Sequence, residues 1–293
     1  NISWRVEPAK KHEANPLLEP KFPWDSACPC VGHGTILKDP IDGLFKGWVV
    51  CIEEDLSYRG GGPLGYRLVH LRSEDGVHWE RPELDVCPVE GYPKTNILLD
   101  YDSGGRTTYA SVFVDPEANP DEPYEMFCFR DAALNCPAGL VAGFGPDAVP
   151  GRQSYRYRSI DGIHWRPDQG PVPISSADTL YVHKASNGTY VCHHKYSIPM
   201  YPGGRAAFDV AGSKCRIAWQ AESEDGFNWS ESIPMMVPDA LDAQGDQIME
   251  VGRYPYNDGY IGLTAIFNGI HQEMHLQLAV SPTGLPIKTY PPY

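Results

Sequence analysis

The stretch Ser73-Glu-Asp-Gly-Val-His-Trp79 recurs along the chain, as Ser159-Ile-Asp-Gly-Ile-His-Trp165 and as Ser223-Glu-Asp-Gly-Phe-Asn-Trp229. A faded fourth copy, Ser281-Pro-Thr-Gly284, keeps the Ser and the Gly but lacks the Asp and the Trp. The copies start 58 to 86 residues apart, a little above the usual length of a propeller blade. The chain is therefore a repeat protein, and the spacing predicts a β-propeller with long loops.

Each copy has the composition of a tight turn between two strands. The Asp side chain can bond to backbone amides, the Gly accepts positive φ, and the Ser can bond back to the same turn. The Trp opens the next strand and buries a large apolar face. A strand-like run precedes every copy, at 66–71, 155–158, 216–221 and 274–279. These residues predict the fold, and we interpret them as turn and packing residues rather than as chemistry.

The composition fits many short strands joined by turns. The 293 residues include 29 Gly, 28 Pro, 17 Tyr and 7 Trp, and no stretch has sustained helical periodicity. No composition shift or low-complexity linker divides the chain, so residues 1–293 are predicted to form one all-β domain. Four blades are recognisable, and residues 1–30 form a proline-broken segment, expected to be extended, that is a candidate for closing the propeller.

The charge excludes some classes of partner. A net charge of −14 disfavours nucleic acid and anionic membrane, because both are polyanions, whereas a neutral sugar is unaffected. No apolar run approaches the roughly 20 residues of a membrane span. No signal peptide is visible, although a mature chain would have lost one. A secreted or periplasmic location is favoured over the cytoplasm, and the sequence predicts no oligomeric state.

The eight cysteines are not interpreted as a disulfide framework or as a metal site. Four of them lie in or beside apolar strand runs, where free Cys is a common small core residue: Cys51, Cys128, Cys192 and Cys215. Cys28-Pro-Cys30 is the only metal-like pairing, and no second Cys or His pair stands at zinc-site spacing. We therefore expect no metal and no cofactor.

A propeller restricts where the chemistry can lie. The first strand of every blade lines the central channel, so acids that begin these strands converge on one axial pocket. Four carboxylates fit that position: Asp25, Asp178, Asp246 and Glu250.

Several motifs carry a resemblance to a known family. They are Asn15-Pro-Leu-Leu-Glu-Pro20 with Pro23-Trp-Asp25, the turn Asp42-Gly-Leu-Phe-Lys46, and Gly259-Tyr-Ile-Gly-Leu263, together with the Asp-Gly…Trp turns. With these motifs, from about Asn15 to Thr283, the chain resembles the five-bladed β-propeller glycoside hydrolases of families 32 and 43, in a bacterial branch. The resemblance implies an all-β, five-bladed propeller and a carbohydrate substrate.

The resemblance also implies roles for the axial acids. Asp25 would be the nucleophile or base, Asp178 the carboxylate that orients the substrate, and Glu250 the general acid, with Asp246 as its competitor. One carboxyl must stay protonated to release the leaving oxygen while the other attacks or activates water. The chain departs from the family at blade one, where Val31-Gly-His33-Gly replaces the Asp-Pro pair that precedes the first strand.

Five residues are candidate substrate-binding groups. The first is Trp24, which neighbours Asp25 in a proline-bounded loop and could stack on a sugar face. Trp48 and Tyr181 could also stack, but Trp and Tyr mainly fill cores and interfaces, so Trp24 alone is chosen among the aromatic residues. The others are His33, His183 and His194 near the inner strands, and Arg253. A single strand-borne His is most often hydrogen-bonded or on the surface, but several near inner strands favour one that binds sugar hydroxyls. In His193-His194, strand alternation sends only one side chain inward.

Three functions follow from these residues. The first is a glycosidase acting on a poly- or oligosaccharide, by carboxylate acid/base chemistry. The second is a non-catalytic carbohydrate-binding propeller, suggested by the missing blade-one Asp-Pro pair. The third is a glycoside phosphorylase, which needs basic side chains that bind phosphate. The candidates for that role are Arg130, Lys195, Arg205 and Arg253.

Overall fold

The computed structural model of the chain describes residues 10–30, 34–53, 65–100, 106–117, 119–131, 152–168, 172–174, 180–185, 187–199, 214–256, 259–281 and 288–289. These residues form four antiparallel sheets of four strands, each sheet following the order of the sequence. No helix within these ranges has the length and hydropathy that spanning a bilayer requires.

The four sheets are the four blades that the repeats predict. Blade one contains β1 (Gly34–Lys38), β2 (Phe45–Glu53), β3 (Gly65–Ser73) and β4 (Ile97–Leu99). Blade two contains β5 (Arg106–Val114), β6 (Tyr124–Asp131), β7 (Arg152–Ser159) and β8 (Arg166–Pro167). Blade three contains β9 (Leu180–Lys184), β10 (Tyr190–Pro199), β11 (Lys214–Ser223) and β12 (Ile233–Met236). Blade four contains β13 (Asp246–Tyr256), β14 (Gly259–Asn268), β15 (Glu273–Ser281) and β16 (Lys288–Thr289).

The prediction of an all-β propeller is confirmed, with four blades rather than five among the described residues. The face of blade four that turns away from blade three carries Leu263, Leu276 and Leu278, which are 50%, 67% and 37% exposed. A further blade would cover this apolar face.

The recurring heptads form the predicted turns between the third and fourth strands. In the first copy, Oδ1 of Asp75 accepts hydrogen bonds from the backbone amides of Val77 and His78, both at 2.8 Å. The hydroxyl of Ser73 accepts one from the amide of Gly76 at 2.9 Å, and Gly76 has φ 77°. The second and third copies repeat these bonds, so the motif is one turn used three times.

Apolar clusters join each blade to the next. Trp48 and Leu68 of blade one pack against Met126 of blade two. Phe127 of blade two packs against Val182 of blade three. The next pair of blades is joined by a cluster of Ala218, Met235 and Met236 with Ile248, Val251, Ile266 and Ala279. Cys51, Cys128 and Cys192 are buried, in agreement with their interpretation as core residues.

The N-terminal segment covers the face of blade one that turns away from blade two. Its residues 23–25 form a short 3-10 turn, and Cys28 exchanges backbone hydrogen bonds with Ile52 of β2. The segment is therefore folded onto blade one, with a turn where the sequence predicted an extended course. Residues 1–9 of the segment lie outside the described residues.

Candidate active site

The innermost strands all begin at one end of the propeller, which we call the entry end. In blade one, Lys38 at the end of β1 pairs with Phe45, and Phe45 pairs with Ser73 at the start of the Asp-Gly turn. The Asp-Gly turns therefore lie at the opposite end from the starts of the first strands. β5 lies against both β1 and β9, as expected for strands that surround an axis.

Asp25 does not belong to an axial pocket, which corrects its predicted role as nucleophile or base. Its Oδ1 accepts hydrogen bonds from the amides of Lys21 at 2.9 Å and Phe22 at 2.7 Å. Its Oδ2 accepts one from Nε of Arg81 at 3.0 Å, and the residue is only 2% exposed. Arg81 directly follows Glu80, which bridges to β3 beside the Asp-Gly turn. The carboxylate holds the N-terminal segment against blade one.

Trp24 is a core residue, which corrects its predicted role as a sugar-stacking platform. Phe22 stacks on the indole with ring centroids 4.6 Å apart, and Tyr92 meets it edge-on at 5.2 Å. The indole Nε1 donates a hydrogen bond to Oδ1 of Asn96 at 3.0 Å. The residue is 1% exposed and packs with Val49 and its neighbours, so no ring face is open to a ligand.

Asp246 shapes the turn that leads into β13. Its Oδ2 accepts a hydrogen bond from the amide of Ala243 at 3.1 Å, and its Oδ1 accepts one from Nδ2 of Asn268 at 2.8 Å. The residue is 8% exposed. Both carboxylate oxygens therefore have partners, one in the turn before β13 and one at the end of β14, which is the pattern of a turn-forming Asp.

Glu250 lies on the innermost strand of blade four at an irregularity. The pairing of β13 with β14 shifts between Ile248 and Glu250, so that Glu250 pairs with Ala265. A bulge of this kind re-aims a side chain, and bulges are over-represented beside active sites. Glu250 is half-buried, four residues from the entry-end start of β13.

Three predicted site residues lie wholly or partly outside the described residues. Asp178 and His33 lie outside the described residues. In the sequence, Asp178 stands two residues before Leu180, the first residue of β9. The backbone of Arg253 belongs to β13 and pairs with Gly262, while its side chain lies outside the described residues.

Blade three presents two rings on its innermost strand. Tyr181 and His183 alternate along β9, and their ring centroids lie 5.8 Å apart with the planes 29° from parallel. Both are half-buried, whereas Leu180 and Val182 on the opposite face are buried against blade two. We call Tyr181 and His183 the channel wall. Flat, partly exposed rings of this kind suit the apolar face of a sugar.

His194 lies on the other face of blade three, which corrects its predicted role in substrate binding. It pairs with Leu180, and its Nε2 lies 2.8 Å from Oγ of Ser232. Burial lowers its pKa from 6.5 to about 4, so the ring is neutral at pH 7. Its neighbour His193 is the one that shares a face with the channel wall.

A buried ion cluster at the entry end of blade one escaped the sequence analysis. Nη1 of Arg67 lies 2.6 Å from Oε2 of Glu53, and its Nε lies 3.2 Å from Oδ1 of Asp100. Arg67 is fully buried. Alternation along β3 was the available signal, because an Arg between apolar strand residues needs acidic partners.

Comparisons with known proteins agree with this architecture. No protein-family model and no curated protein matches the chain. Among solved structures, a thermostable family-43 glycoside hydrolase matches with a TM-score of 0.56 and 11% identity, over 88% of this chain and 71% of that one. The endo-arabinase from Bacteroides thetaiotaomicron VPI-5482 matches with a TM-score of 0.54 and 11% identity, over 92% of this chain and 82% of that one. RS223 β-xylosidase matches with a TM-score of 0.53 and 12% identity, over 88% of this chain and 76% of that one. The chain therefore has the β-propeller fold of the family-43 glycoside hydrolases.

Proposed function

We propose that this protein is a glycoside hydrolase that cleaves a poly- or oligosaccharide in its axial channel, with Glu250 as general acid. The observation that carries the proposal is the position of Glu250, half-buried at the bulge of the innermost strand of blade four. Structures of similar fold include a β-xylosidase and an endo-arabinase, which supports this class of reaction.

Hydrolysis needs a second carboxylate opposite the acid. Glu250 would protonate the leaving glycosidic oxygen, while an ionised carboxylate attacks the anomeric carbon or activates a water. Of the predicted acids, Asp178 remains as the candidate for this second carboxylate. Asp25 is engaged in packing the N-terminal segment, and Asp246 is engaged in a turn. The channel wall would hold the sugar by its apolar face, and a neutral substrate is not repelled by the net charge of −14.

The proposal is tested by turnover of xylo- and arabino-oligosaccharides of two to six units. We expect Glu250→Gln and Asp178→Asn each to lower kcat by about 100- to 10,000-fold, the range that acid–base catalysis supplies. The matched control is Glu273→Gln, a change of the same kind at an exposed site on blade four. Unchanged turnover in both site variants would refute the assignment.

A carbohydrate-binding propeller without hydrolysis is the second candidate. It is favoured by Asp25, whose carboxylate is engaged by Arg81 and the segment backbone and so does not supply the blade-one acid of the family. Titration calorimetry with xylotriose and arabinotriose separates the two functions, since binding without product formation indicates this one. The phosphorylase alternative requires turnover that depends on inorganic phosphate. The side chains that would donate hydrogen bonds to the phosphate are Arg130, Lys195, Arg205 and Arg253.

A further inference from the structure

A row of polar side chains crosses blade three, beginning at Tyr181 of the channel wall. Tyr181 on β9 pairs with His193 on β10, and His193 pairs with Gln220 on β11. Directly paired residues share a face, so these side chains point the same way. His193 lies 6.2 Å from Tyr181 and 5.5 Å from His183 between ring centroids. Glu222 continues the row along β11, two residues beyond Gln220 on the same face and next to the Asp-Gly turn that begins at Ser223.

The row faces blade four, and its burial changes along its length. Ala218 shares this face of β11 and packs against Ile248 of blade four, whose strand β13 lies against β10 and β11. His193 and Gln220 are each 2% exposed, whereas Tyr181 at the inner end is half-buried. Blade four thus covers the middle of the row and leaves its inner end beside the channel.

The hydrogen bonds along the row have only one consistent direction. Glu222 as a carboxylate can only accept, so the atom of Gln220 that bonds it at 2.9 Å must be the donor Nε2. The other end of that amide is then the acceptor Oε1, which lies 3.2 Å from Nε2 of His193. An acceptor there requires a proton on Nε2 of His193. The exposed carboxylate therefore determines the protonated nitrogen of a buried ring.

We propose that Gln220 and Glu222 are positioning residues that hold His193 protonated at Nε2 and so fix the rings of the channel wall for a sugar. The ring of His193 touches both members of the wall, so fixing its tautomer and its orientation restricts how Tyr181 and His183 can lie. The expected ligand is a neutral xylo- or arabino-oligosaccharide, bound through the apolar face of one ring. The sugar-binding part of this inference rests on the proposed function.

The protonation state can be measured without any activity. Long-range 1H–15N spectra of the side chains, with His193 assigned by the signal lost in His193→Gln, report which ring nitrogen carries the proton. We expect a protonated Nε2 in the unmodified chain, and a mixture of both tautomers in Glu222→Gln, because an amide at residue 222 can donate as well as accept. The matched control is Glu224→Gln, a neighbouring exposed site, which should leave the spectrum unchanged. An unprotonated Nε2 in the unmodified chain would overturn the inference.

The role in sugar binding is read from a split between KM and kcat. Glu222→Gln should raise KM for xylo- or arabino-oligosaccharides by about threefold to tenfold, the worth of one hydrogen bond, with kcat changed less than about twofold. An unchanged KM together with mixed tautomers would overturn the positioning role. If the chain hydrolyses none of these sugars, the proposed hydrolysis fails. The dissociation constant of xylotriose or arabinotriose, compared between Glu222→Gln and Glu224→Gln, then decides the positioning role in the same way.

Discussion

The indole Nε1 of Trp48 in blade one donates a 2.6 Å hydrogen bond to the carbonyl of Gly162, in the Asp-Gly turn of blade two. Blades two and three are joined in the same way by a different side chain. Nη1 of Arg156 in blade two donates a 2.6 Å hydrogen bond to the carbonyl of Asp225, in the Asp-Gly turn of blade three. The turn of one blade is therefore docked on the blade before it. The recurring heptad fixes the spacing between blades as well as the ends of strands.

Gly162 is expected to be intolerant of any side chain. It has φ 75°, and a Cβ there would come within 2.9 Å of Cζ2 of Trp48. Gly162→Ala should lower the free energy of unfolding by about 2–4 kcal/mol, from backbone strain and overpacking together. Gly43 is the control because it has φ 78° with nothing within 4 Å of its Cβ position, so Gly43→Ala reports the strain alone at about 1–2 kcal/mol. Equal losses in urea unfolding would show that the turn does not dock on Trp48.

Asp25 is expected to contribute to stability and not to turnover. Asp25→Asn removes the charge partner of Arg81, whose side chain is 11% exposed, and should cost about 1–3 kcal/mol of unfolding free energy. Glu80→Gln breaks the exposed pair with Arg72 and should cost less than about 1 kcal/mol. The kcat of Asp25→Asn should stay within about twofold of that of the unmodified chain. A loss of kcat of about 100-fold or more, as expected for an acid–base residue, would show that Asp25 is catalytic.

His194 should make the stability depend on pH. Its pKa is about 4 in the folded chain, below the ordinary 6.5, because burial disfavours the charged ring. The unfolded chain therefore binds a proton that the folded chain does not, and stability should fall as pH drops from about 6.5 to about 4. His194→Gln should remove part of this slope, while the exposed His271→Gln should leave it unchanged. Buried His70, whose pKa is lowered to about 4 by burial and by nearby Lys46, supplies a remaining part. A slope that is the same with and without His194 would contradict its buried, neutral state.

The sequence was sufficient for the blades and insufficient for the site. Repeats mark turns because an Asp-Gly turn is built from neighbouring residues: among the described residues, the bonds of Asp75 are to its own heptad. Trp24 and Asp25 were misjudged because Asn96 and Arg81, the partners that bury them, are 72 and 56 residues away in the chain. Nothing local distinguishes such a pair from an open pocket.

The choice between neighbouring residues also required the pairing of strands. Alternation predicted that His193 and His194 point to opposite faces, but only the register with Tyr181 identifies which one joins the channel wall. Likewise, Asp246 and Glu250 are both acids near the start of β13. The turn bonds of Asp246 and the bulge at Glu250 separate them, and neither feature has a sequence signature as strong as Asp-Gly.

The central claim is that Glu250 is a general acid, and the most direct test compares two leaving groups in Glu250→Gln. An acid is needed for the poor leaving group of xylobiose or arabinobiose and is hardly needed for a dinitrophenyl glycoside of the same sugar. We predict a loss of kcat of about 100-fold or more on the disaccharide and less than about tenfold on the dinitrophenyl glycoside. Glu273→Gln should match the unmodified chain on both substrates. Equal losses on both substrates, or no loss on either, would contradict the role of Glu250.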